Sequence, residues 1–110
     1  MNMICDSRAF EQGPRFRLRQ LVLAPGEGTP EAVHLHKRLH WLVVAGAAQV
    51  VLNGAEQRLF ETEALDIPVG TPHRLRNCGR VDLHLIEVQT GCYLGDDDLL
   101  AGDSALVTIR

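Results

Sequence analysis

Four of the chain's five histidines fall in two stretches, His34-x-His36-x-x-x-His40 and His73. Imidazole is the commonest protein ligand for a divalent ion at neutral pH. Alternate residues of a strand share a face, so His34 and His36 can aim their rings at one point, and His40 keeps their parity if the strand stays regular. The basic pair Lys37-Arg38 marks the place where a bend would break that parity. His73 follows Pro68-Val69-Gly70-Thr71-Pro72, a rigid turn able to deliver it opposite the other three. Two histidines at i and i+2 with a distant third suit Zn, Fe, Ni or Mn equally well. The expectation is one divalent metal ion held by His34, His36, His40 and His73, against the plainer reading of histidines packed in the core or exposed on the surface. The isolated His84 takes the plainer reading.

Glu87 has the same parity as Leu83 and Leu85. If that face is interior, Glu87 is a buried carboxylate that needs a metal or a cation to compensate it. Beside a sugar-sized cavity it can also act as a general base. The other reading is a strand that twists at its end and leaves Glu87 in water. Arg74 follows His73 directly, so in a regular strand it points away from the ion and reaches a substrate only if the chain turns. Arg15, Arg17 and Arg19 alternate, which puts three cations on one strand face: a solvated face, a small anion site, or a surface for an acidic partner.

The elements that must position these residues are short strands. Turn signals recur about every ten residues, at Pro25-Gly26, Asn53-Gly54, Pro68-x-Gly70, Asn77-Cys78-Gly79 and Thr90-Gly91, with runs of Val, Leu and Ile between them. Strands are predicted over Phe16–Leu23, Trp41–Val44, Gln49–Leu52, Leu65–Val69, Arg74–Arg76 and Val81–Gln89, with Leu106–Ile109 covering an edge. Asn53-Gly54 predicts a type I′ hairpin joining Gln49–Leu52 to Gln57–Phe60. Asp96–Leu100 has room for a turn or two of helix at most. So many short strands should close into a barrel or pair through a sheet edge, which makes a homodimer the expected assembly.

With 110 residues the chain supports one domain, spanning 1–110, whose single modest core lies within about 16–98. A net charge of -3 gives no nucleic-acid footprint. Three scattered cysteines (Cys5, Cys78, Cys92) suggest neither a disulfide framework nor a redox pair. No apolar run is long enough for a membrane span and no leader is evident, so a soluble, cytoplasmic protein is expected.

On these motifs the sequence resembles the cupins. His34-Leu35-His36 followed by Gly46 looks like the first cupin motif, and Pro68-x-Gly70-x-x-His73-x-x-x-Asn77 is similar to the second. More narrowly, three runs resemble the mannose-6-phosphate isomerase cupin domain that ends bifunctional mannose-1-phosphate guanylyltransferases. They are His40-Trp41-x-Val43-Val44-x-Gly46, Ile67-Pro68-x-Gly70-x-x-His73-Arg74-Leu75-x-Asn77-x-Gly79, and Ile86-Glu87-Val88-Gln89-x-Gly91-x-Tyr93-Leu94-Gly95-x-Asp97-Asp98. The resemblance implies an all-β, small antiparallel double-stranded β-helix (a cupin or jelly-roll barrel). It also implies a divalent metal and a sugar-phosphate substrate interconverted between aldose and ketose, with Glu87 as base and Arg74, Lys37 or Arg38 toward the phosphate.

The sequence departs from that family where it matters. The Glu expected just before His40-Trp41, a metal ligand in the family, is Leu39, so His40, Glu87 or water would have to supply the missing donor. A glycine expected six residues before Pro68 is Thr62. Three functions therefore stand side by side: a metal-dependent isomerase, an oxygenase-type metal enzyme, and a non-catalytic module that binds a sugar or another small ligand.

Overall fold

Ten strands lie among the described residues, with period-two alternation clearest in β4, β8 and β9: β1 (Asp6–Gln12), β2 (Phe16–Leu23), β3 (Ala32–Val33), β4 (Lys37–Ala45), β5 (Ala48–Leu52), β6 (Ala55–Leu59), β7 (Ala64–Ile67), β8 (His73–Asn77), β9 (Leu83–Gly91) and β10 (Leu100–Ala101). The computed structural model describes residues 6–12, 15–91 and 100–101, with side chains over 15–91. The expected strand at Leu106–Ile109 lies outside these residues, as does most of the turn at Asp96–Leu100.

The strands form two five-stranded sheets, ordered β1-β2-β9-β4-β7 and β10-β3-β8-β5-β6, antiparallel throughout. This is the all-β, double-sheet architecture expected, but not one closed barrel. Among the described residues the ladders stop at β7 in one sheet and β6 in the other, and the turn between those strands is a chain connection only. One apolar core fills the space between the sheets. The first contributes Leu21, Leu23, Leu39, Trp41, Val43, Ile67, Leu83 and Leu85, and the second Ala48, Val50, Leu59 and Leu75. Each large side chain sealed there is worth about 1.5–3 kcal/mol over leaving it in water.

The β5–β6 hairpin turns at Asn53-Gly54, with φ of 51° and 84°, the left-handed pair a type I′ turn needs. A two-residue loop forces Leu52 opposite Ala55, so β6 begins at Ala55 and not at the expected Gln57. Pro68 lacks the N–H to continue a ladder, and β7 ends at Ile67. The strand β1 was not anticipated: its sequence, DSRAFEQ, carries no apolar alternation. It runs along β2 as an edge, with a register shift between Ala9 and Glu11. Where Thr62 stands for the expected glycine, φ is 72°, at the third position of a turn closed by the Glu63 amide donating to the Phe60 carbonyl at 3.0 Å.

Asn77 of the second motif is 1% exposed. Its amide nitrogen donates to the Leu23 and Val81 carbonyls, both at 2.8 Å, and its oxygen accepts from the Gly79 amide at 2.8 Å. That one side chain fixes the bend between β8 and β9 against the end of β2. Among the described residues no helix is long and apolar enough to cross a membrane.

Candidate functional site

The inward face of the first sheet changes character along its length. On β9 the buried residues are Leu83, Leu85, Glu87 and Gln89, and on β4 they are Lys37, Leu39, Trp41 and Val43. Residues opposite one another in an antiparallel pair share a face. On β2 the buried Leu21 and Leu23 face Leu85 and Leu83, so Arg19, opposite Glu87, and Arg17, opposite Gln89, belong to the same interior face. The core is apolar at one end and polar at the other.

The polar end is a chain of hydrogen bonds. Glu87, 5% exposed, accepts from the Trp41 indole N–H at 2.8 Å through Oε1 and from the Gln89 amide at 2.6 Å through Oε2. The Arg19 guanidinium stands 3.6 Å from the same Oε2. Lys37, 2% exposed, donates to the Gln89 carbonyl oxygen at 3.4 Å. The amide of Gln89 has one orientation that serves both neighbours, because an ammonium only donates and a carboxylate only accepts. Gly91 lets this end close: it lies opposite Lys37, and a Cβ there would run into the His36 carbonyl.

The wall opposite is built by β8 and the approach to β4. His73 opens β8, 4% exposed, its ring 5.1 Å from that of His34 and edge-on to Trp41 at 5.7 Å. The Thr71 carbonyl lies 2.8 Å from Nδ1 and accepts from the Nδ1–H, which leaves the Nε2 lone pair available in the neutral ring. Burial pushes His73 below its ordinary value of 6.5. The Thr71 carbonyl opposes that shift, the neighbouring His34 adds to it, and the Glu87 carboxylate works against it.

The structure brings His34 and His73 together and places His40 on the opposite face of its sheet. Residues 35–36 form a bend and not a strand, and the inward parity resets at Lys37, so odd positions of β4 face in. His36 is exposed in the bend. His40 lies on the outer face, its Nδ1 2.7 Å from the Asp66 carboxylate, and this contact holds Asp66 below its usual range. Arg74 is exposed on the outer face of β8, as its parity required. Leu39, where the family's Glu was expected, is 2% exposed in the core, opposite Gln89 and Ile67. Among the described residues no three His, Cys, Asp or Glu side chains converge on one point. Of the four histidines expected to share one ion, His34 and His73 are the pair whose rings meet.

Sequence reasoning did not anticipate Lys37 as an interior residue, or Trp41 as the donor that holds Glu87. It also left the β2 arginines undecided, although a signal existed: Arg17 and Arg19 share parity with Leu21 and Leu23, the apolar end of their own strand.

Comparison with known proteins agrees with this architecture. A cupin domain of Cnp3 from Schizosaccharomyces pombe superposes with a TM-score of 0.72 at 18% identity, covering 79% of this chain and 63% of that one. A Klebsiella pneumoniae protein with a double-stranded β-helix domain gives 0.78 at 20% identity, covering 86% and 84%. In sequence, a mannose-1-phosphate guanylyltransferase of Salmonella montevideo is 43% identical over 92 residues, 84% of this chain and 20% of that protein. The corresponding Escherichia coli K12 protein is 40% identical over 92 residues, 84% of this chain and 19% of its own length. The chain thus spans about a fifth of the curated relatives it matches. The family model described as "Mannose-6-phosphate isomerase C-terminal" matches residues 5–103, and the chain belongs to that family.

Proposed function

We propose that this chain binds a phosphorylated hexose between its two sheets, at the polar end of the core, through its own side chains and without a divalent ion in the site. The observation that carries this reading is the buried run Trp41–Glu87–Gln89–Lys37 with Arg19 beside it. A carboxylate, an amide and cations set beside an indole are the groups that orient a polar ligand with an apolar ring face. Family membership, and relatives named for mannose 1-phosphate, point to the same ligand class. Calorimetric titration of EDTA-treated protein with mannose 6-phosphate and mannose 1-phosphate tests it. Saturable binding unchanged by EDTA is expected; binding that appears only after a metal is restored, or not at all, refutes it.

A second reading, aldose–ketose isomerisation, is favoured by His73. Moving a proton between C1 and C2 needs a carrier of suitable basicity, and a neutral imidazole with a lone pair at Nε2 is one. Glu87 suits that role less well, because donors already occupy both of its oxygens. A coupled assay converting mannose 6-phosphate to fructose 6-phosphate, run on the same EDTA-treated protein, decides between binding and catalysis. Oxygenase chemistry has the least support, since three histidines around iron are not available where His34 and His73 meet. A homodimer in the cytoplasm remains the assembly this reading expects, and light scattering on purified protein checks the dimer.

A further inference from the structure

We infer that β6 is a self-recognising edge: a second copy of this chain pairs with it antiparallel about a two-fold axis at Gln57, joining the second sheets of the two copies into one. This gives the homodimer expected above its interface, and it holds whatever ligand the core takes. Hairpin geometry decides which backbone groups of β6 can do this. A two-residue turn closes on a hydrogen-bonded pair, Leu52 with Ala55, and such pairs alternate along an antiparallel ladder. Ala55, Gln57 and Leu59 therefore direct their backbone groups toward β5, and Glu56 and Arg58 direct theirs outward. The far side of β5 agrees. The Asn53 amide donates to the Pro72 carbonyl at 2.8 Å, which assigns the odd residues there to β8 and the even ones to β6. Among the described residues nothing pairs with β6 beyond β5, and residues 55–58 are all exposed.

Charge then selects one register. Leu59 is buried in the core, so Glu56 and Arg58 belong to the outer face of the sheet. Among the described residues neither makes an ion pair. The cross-strand row of Arg58 continues through Gln49 to Arg76, another cation. A two-fold pairing centred on Glu56 sets carboxylate against carboxylate, and one centred on Arg58 sets guanidinium against guanidinium. Like charges directly opposite destabilise a pair of strands. Centring on Gln57 sets Glu56 opposite the partner's Arg58, and Arg58 opposite the partner's Glu56. Both of these residues direct their backbone outward, so the register that matches the charges also lets both pairs exchange backbone hydrogen bonds. The ladder stops at Phe60, whose amide donates to the Glu63 carboxylate at 2.8 Å and whose carbonyl accepts from the Glu63 amide at 3.0 Å. Charges on an edge discourage pairing with other strands, but an acid and a base placed evenly about Gln57 complement their own reversed copy. The end strand of the first sheet, β7, holds one charged residue, Asp66, and has no such match.

Sedimentation velocity over a concentration series tests this on wild type, Glu56→Arg, Arg58→Glu, the double exchange Glu56→Arg/Arg58→Glu, and an equimolar mixture of the two single variants. Arg80→Glu, in the bend between β8 and β9, is the control. The substituted side chains are all exposed, and circular dichroism and Tm establish each fold. Wild type and control should dimerise alike. Each single substitution sets like charges opposite and should weaken the dimer roughly tenfold or more. The double exchange restores opposite charges, and the mixture sets two arginines against two glutamates, so both should return to wild-type strength. A dimer indifferent to the single substitutions overturns the inference and leaves the homodimer to another surface. Weakening that the double exchange does not reverse overturns the register. A wild type that stays monomeric at every concentration ends both this interface and the expected homodimer, while the hexose-phosphate reading keeps its own titration.

Discussion

Replacing Glu87 by Gln keeps the shape of the side chain and removes its charge, and the structure says what that does to Gln89. In wild type the Gln89 amide offers its oxygen to Lys37 at 3.4 Å and its nitrogen to Glu87 at 2.6 Å. With Gln at 87, turned so that its oxygen still serves the Trp41 N–H at 2.8 Å, its NH₂ faces the NH₂ of Gln89. Rotating Gln89 moves the conflict to Lys37, whose ammonium also only donates. One buried donor is therefore unmatched in either orientation, at about 1–3 kcal/mol. Loss of the Arg19 ion pair adds roughly 1 kcal/mol at most, since that guanidinium is part-exposed and screened. The sum, about 1–4 kcal/mol, corresponds to a Tm lowered by roughly 5–25 °C in a domain of this size. Urea unfolding and calorimetry measure it. Adding Lys37→Met frees Gln89 to turn, so the double variant should recover about 1 kcal/mol of the loss, a coupling read from the double-mutant cycle. A Glu87→Gln protein within 0.5 kcal/mol of wild type, or strict additivity with Lys37→Met, refutes the account of a directional chain.

Thr62 is β-branched and sits at a φ of 72°, so Thr62→Gly should raise stability by about 1 kcal/mol, seen as a higher urea midpoint with an unchanged slope. Leu39→Glu puts a carboxylate in the core and should lower Tm sharply. Because His40 faces away, Mn²⁺ should not restore it, and recovery of Tm with one equivalent of bound Mn²⁺ by elemental analysis would count against the geometry described. His73 in the folded protein takes up a proton less readily than in the unfolded chain, whose value is near 6.5. Stability present above that pH should therefore decline as pH falls toward the folded-state value, and His73→Leu should flatten that part of the profile in urea midpoints from pH 7.5 to 5. His40→Ala, which removes an exposed contact to Asp66, should leave the fold and ligand binding unchanged by thermal scan and titration.

How much of this was legible in the sequence depended on whether a residue's neighbours along the chain determine its direction. The β5–β6 hairpin was readable because Asn53-Gly54 can hold the two left-handed positions its turn requires. The inward aim of Glu87 was readable as one of two alternatives, because parity runs unbroken from Leu83 to Gln89 along β9. Parity failed for His40, since the bend at 35–36 interrupts the strand and resets the count at Lys37. The basic pair Lys37-Arg38 marked a place for the break, but a lysine is a poor signal for an interior position, so the parity on which the strand resumes was not legible. The pairing of His34 with His73, and the chain from Trp41 to Lys37, come from strands far apart in sequence. The β1 edge was invisible because its hydrogen bonds to β2 are made by the backbone, whatever its side chains are.

The role of Asn77 bears on how such chains are recognised. Both ends of its amide are occupied by backbone groups of Leu23, Val81 and Gly79, so selection for a correctly folded bend is enough to preserve it after any reaction has been abandoned. The Pro-Gly-His-Asn signature is then a record of architecture. Descendants that have exchanged one ligand for another, or catalysis for plain capture, will go on displaying it, and their divergence must be sought at positions such as 37 and 39.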